Sequence, residues 1–162
     1  MTEDLVKNAL DALSECSTLV ELYFKFREEL AAGSADMGKY ASLASGLKCA
    51  IPPSDLSARL KREGCRLGRP ELVYLGMALG YAYGGFADRS AYALLAAAAA
   101  ELGKLDSLKE VEERSGVDFQ LMVKVICGVA KIVEEYSLDL LGGMYDVLEE
   151  LRSKRQRLKR KN

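Results

Sequence analysis

At 162 residues, 49% hydrophobic and 29% charged, the chain is long enough for one domain with its own core and too apolar to be intrinsically disordered. With 0 His it is excluded from imidazole base catalysis and from mixed Cys/His zinc sites. The net charge of -1 conceals an asymmetry: the C-terminal RSKRQRLKRKN holds Arg152, Lys154, Arg155, Arg157, Lys159, Arg160 and Lys161 and no acid, leaving 16 of the 23 basic residues against 24 acids in the body.

Leu5, Ala9, Leu10 and Leu13 form an apolar stripe that predicts a first helix over residues 3–16. Ser17 or Thr18 can cap a second, TLVELYFKFREELAAG, in which Leu19, Leu22, Tyr23, Phe26 and Leu30 share a face and Gly33 ends the run. A third, around Ala35 to Cys49, carries Tyr40, Leu43, Ala44 and Leu47; Pro52 and Pro53 break the chain, and Ser54 or Asp55 caps the basic segment that follows.

PELVYLGMALGYAYGG begins with a proline suited to a first helical turn and is apolar nearly all round, so it reads as a buried helix. Its uncharged stretch, Leu72 to Ala87, falls short of the roughly 20 residues of a membrane span. Gly76, Gly80 and Gly84 recur every four residues and line one ridge, where a neighbouring helix is expected to pack closely. Asp88 is a suitable N-cap for an alanine-rich helix over 89–102. A short helix follows from Leu105 to Arg114. Asp118 caps a long one with Phe119, Met122, Val123, Ile126, Val129, Val133 and Tyr136 inward, and a last helix from Ser137 holds Leu138, Leu141, Tyr145, Leu148 and Leu151. No segment alternates with period two. The expected fold is all-α: a compact bundle of about seven to nine helices over 1–151, with 152–162 as a basic tail.

Few motifs carry chemistry. Cys16, Cys49, Cys65 and Cys127 are widely spaced, with no CxxC pair, and read as reduced, buried thiols of a cytoplasmic protein. GSADMGKY approaches a phosphate-binding loop, but Tyr40 stands where the magnesium-holding hydroxyl belongs and no strand precedes it. The acidic pairs Glu28 and Glu29, Glu112 and Glu113, Glu134 and Glu135, and Glu149 and Glu150 lack the His partners of a di-iron bundle and read as solvated faces. No cofactor or catalytic residue is implied.

SDLSARLKREGCRLGR is the most informative polar segment. As one helix it sets Arg59, Arg62, Arg66 and Arg69 within an arc of roughly 80°, beside a stripe of Leu56, Leu60 and Leu67. An arginine ridge on an anchored helix matches the spaced charges of a nucleic-acid backbone; a solvated face paired with acids of neighbouring helices is the plainer alternative. Gly64 and Gly68 bear on whether the helix is continuous.

The order of the basic helix, ELVYLGMALGYAYGG, YALLAAAAAELG and FQLMVK running on to EEY resembles the small helical subunit of type III-A, Csm-type, CRISPR effector complexes. The resemblance covers roughly Ser54 to Tyr136 and rests chiefly on Glu71, Leu72, Tyr74, Leu75, Tyr81 and Gly84. It implies a non-catalytic subunit that stacks in several copies beside larger subunits, with basic residues facing RNA or a guide-target duplex. Carried over, those are Arg59, Lys61, Arg62 and Arg66. Two other readings stay open: a helical protein–protein interaction module without nucleic acid, and a small DNA-binding protein of mobile-element origin that uses the tail.

Overall fold

The computed structural model describes residues 2–135 and 149–157. These residues form helices and no strand, so the fold is all-α. In chain order they are α1 (Thr2–Leu13), α2 (Ser17–Ala31), α3 (Met37–Ser45), α4 (Leu56–Leu67), α5 (Pro70–Tyr83), α6 (Ala87–Glu101), a 3-10 turn (Leu105–Leu108), α7 (Lys109–Ser115) and α8 (Phe119–Glu135). Residues 149–157 are also helical. The chain divides into two compact units, Met1–Ile126 and Cys127–Asn162. The boundary expected at 151/152 falls inside the helical run 149–157, and most of the helix predicted from Ser137 lies outside the described residues.

The core of the first unit is built on α5 and α6. Alanines keep α6 thin, and Ala91 to Ala99 are all buried. On α5, Leu72 to Leu79 are buried as well, as an all-round apolar helix requires. The Ser90 hydroxyl donates to the Ala78 carbonyl across the contact at 2.7 Å, so a polar group in the core is satisfied. Around this pair, α4 and α1 pack on α5, and α2 and α3 pack on α6. Each fully buried leucine among them contributes roughly 1.5–3 kcal/mol of hydrophobic burial. No helix of the described residues is long and apolar enough to cross a membrane.

Several local expectations are corrected. The alanine-rich helix begins at Ala87, so Asp88 lies in its first turn and Phe86 holds the N-cap position. The cause is the end of α5: Gly85 takes φ +79, its N–H donates to the Ala82 carbonyl at 3.2 Å, and the Phe86 N–H donates to the Tyr81 carbonyl at 2.9 Å. This Schellman closure fixes where the next helix can start. Helix α3 stops at Ser45 instead of Cys49, and residues 46–55 are irregular. That segment is tied down by buried Ile51, whose N–H donates to the Ala82 carbonyl at 3.1 Å, and by the Ser54 and Tyr83 hydroxyls, 2.5 Å apart.

The thiols are a larger correction. Cys16 at the α1–α2 corner and Cys49 after α3 form a disulfide, with Cα atoms 6.1 Å apart. Their separation of 33 residues gives no sign of pairing; helix packing brings them within bridging reach. Cys65 and Cys127 are disulfide-bonded as well, so none of the four cysteines is the reduced thiol expected and their chemistry lends no support to a reducing compartment.

Candidate nucleic-acid interface

Helix α4 is one continuous helix through Gly64. Gly64 is buried because α5 lies on it: a Cβ there would sit 2.8 Å from the Val73 nitrogen and 3.0 Å from the Arg69 carbonyl oxygen. Gly76 is as crowded from the other side, with a Cβ placed 2.8 Å from the Ser57 carbonyl oxygen and 2.8 Å from Lys61 Cγ. The buried Ser57 hydroxyl donates to the Gly76 carbonyl at 2.6 Å in the same contact. A Cβ on Gly80 would meet the Ser57 hydroxyl at 3.4 Å and Lys61 Nζ at 3.9 Å, both ordinary contacts, and Gly84 faces the Phe86 ring. The predicted close packing is therefore present at Gly76, looser at Gly80, and of a different kind at Gly84.

The helix ends at Gly68, in the left-handed region at φ +65, which removes Arg69 from the ridge. Arg69 is the residue preceding α5, and its guanidinium pairs with Glu71 at 2.7 Å. Three arginines remain, Arg59, Arg62 and Arg66, within roughly 60° of arc. All three side chains are exposed. Arg66 chelates Glu63 through two donors, at 2.6 and 3.3 Å. The Arg66 hydrogen bond, reinforced by the charges of Arg62 and Arg59, holds the Glu63 carboxyl below the usual carboxylate range. Glu63 is the residue that reading for arginines alone misses, although its spacing of four from Arg59 and three from Arg66 places it on their face. Arg59 and Arg62 have no ion pair among the described residues.

Lys61 does not join them. Its stem lies in the α4–α5 contact beside Gly76, and burial lowers its ammonium pKa, with no ion pair to a carboxylate among the described residues. In the second unit, Arg152 and Lys154 lie 3.9 and 3.8 Å from Glu149 and Glu150 of their own helical run, and Arg155 and Arg157 are exposed. Lys159, Arg160 and Lys161 lie outside the described residues.

Other features offer less chemistry. A shallow groove of about 380 Å³ on α1 and α2 is lined mainly by Val6, Leu10, Val20 and Phe24. No group of three potential metal ligands occurs among the described residues. Of the acidic pairs, Glu29 accepts from the Tyr40 hydroxyl at 2.5 Å, and burial raises the Glu112 pKa, aided by the charges of Asp118 and Asp106. No family model matches the chain, and neither the curated proteins nor the solved structures contain a match.

Proposed function

We propose that the protein is a non-catalytic subunit of a cytoplasmic RNA-guided ribonucleoprotein that contacts the sugar-phosphate backbone of guide RNA or a guide-target duplex through α4, beside other subunits. The supporting observation is the pair Arg59 and Arg62: exposed, without an ion pair among the described residues, and carried by a helix packed on α5 through close glycine contacts. Fixed guanidinium forks position a phosphate backbone without reading bases. A disulfide inside a cell fits a hyperthermophilic host, where intracellular proteins retain such bonds.

The test is a titration of single-stranded and duplex RNA against Arg59→Glu/Arg62→Glu. Binding should fall at least ten-fold and its log–log salt slope should drop by about 1.4 for single strands, at roughly 0.7 per lost phosphate contact. Melting should fall only slightly, because neither arginine has an ion pair to break and the new carboxylates repel Glu63 at an exposed face. Glu63→Gln should act in the opposite direction and tighten binding, since it removes a negative charge from the face of the arginines. Undiminished RNA binding by the folded double variant would refute the reading. A second reading, a protein-interaction module, is favoured by the exposed Leu121 and Val125 on the first-unit part of α8. It predicts no RNA binding by the unmutated protein.

A further inference from the structure

The geometry points to Phe86, with Arg89, as a stacking platform for one unpaired nucleobase, so that the RNA of the proposed function presents a single-stranded segment at this end of α4 and α5. This inference rests on the nucleic-acid reading and extends it from backbone to base. Phe86 is 51% exposed, whereas Tyr74 and Phe119 are buried and Tyr81 and Tyr83 are partly buried. A closing turn of this kind is commonly accompanied by an apolar contact from this position, which a small aliphatic side chain would satisfy. A ring stands there instead. The chain accommodates it with Gly84, where a Cβ would lie 3.0 and 3.1 Å from two atoms of the ring's edge.

One turn into α6, the Arg89 guanidinium carbon lies 5.2 Å from the ring centroid. Arg89 is exposed and has no ion pair among the described residues. One edge of the ring thus lies against the helix end and the Arg89 guanidinium lies over the ring, while about half of the residue stays exposed for a base on the other face. Every nucleotide offers a base π-face to such a ring and a phosphate to such a cation, whatever the sequence. The position also suits a strand that follows the α4 arginines. Ile51 and Ser54, just before α4, bond to Ala82 and Tyr83, just before Phe86, so the ring sits at the end of the α4–α5 pair nearest Arg59. A continuous duplex keeps its base faces stacked internally and cannot use the platform.

The experiment uses the full chain and an oligouridine carrying one 2-aminopurine, with a fully paired RNA of equal length as comparison. Phe86→Leu keeps the apolar contact of the turn. It should weaken single-strand binding roughly ten-fold and abolish 2-aminopurine quenching, with the salt slope unchanged because no charge is lost. Phe86→Trp should restore both. Arg89→Gln should lower the slope by about 0.7. Duplex binding should be indifferent to Phe86→Leu. If Phe86→Leu melts normally, binds the single strand as tightly and quenches as fully as the unmutated protein, the platform is overturned while the ridge stands. If the unmutated protein binds neither RNA, the platform and the proposed function fall together.

Discussion

Three tyrosine hydroxyls are locked in their protonated form by where the fold puts them. Burial raises the Tyr23 pKa to about 12, helped by the Glu101 carboxylate that its hydroxyl approaches at 3.2 Å. Burial likewise raises Tyr40, whose hydroxyl donates to Glu29, and Tyr74, whose hydroxyl donates to the Phe119 carbonyl at 2.7 Å. Each phenol therefore keeps its proton in the folded chain at a pH where the unfolded chain has lost it. The stability this contributes is complete below about pH 10 and is lost as pH rises through the folded value. In an alkaline titration, tyrosinate absorbance at 295 nm from these residues should rise only together with loss of helical circular dichroism, between about pH 10 and 12 for Tyr23. Full ionisation with intact helices would contradict this. The sequence places Tyr23 and Tyr40 on inward faces, but their acceptors are not legible there, because Tyr23 and Glu101 stand 78 residues apart and meet only through α2 on α6.

At the scale of elements, the α4–α5 pair separates what periodicity can show from what it cannot. Spacing alone marks Gly76, Gly80 and Gly84 as a ridge and α5 as a buried helix. It does not rank the glycines, since their crowding depends on where α4 crosses. Gly76→Ala should destabilise by about 1–3 kcal/mol, because its new methyl meets the Ser57 carbonyl and the Lys61 stem. Gly80→Ala has room at 3.4 Å and should be neutral or stabilising by up to about 1 kcal/mol through helix propensity. Urea midpoints of the two variants check the contrast; equal effects would mean that α4 does not cross at Gly76. The same crossing explains Gly64, which reads in the sequence as a weak point and is in fact the second close contact. The ridge is only partly legible: three arginines keep their spacing, whereas the turn at Gly68 reassigns Arg69 to Glu71.

Across the molecule, the all-α fold follows from the 3.6-residue periodicity of nearly every segment, a local property that survives any arrangement of the helices. The Cys16–Cys49 bridge depends wholly on that arrangement and leaves no trace in the spacing. By the loop-entropy relation, closing 33 residues contributes roughly 3–4 kcal/mol, so a dithiol should lower the urea midpoint by a corresponding amount.

The bridge also makes α2 and α3 part of a closed covalent ring. Pulled from its two ends, the oxidised chain cannot pay out the 33-residue segment, because tension passes through the sulfur atoms and bypasses both helices. On a single-molecule force trace the unfolding step should lengthen by about 100 Å once the bond is reduced, which is the extended reach of the hidden segment. Under oxidising conditions those two helices carry no load.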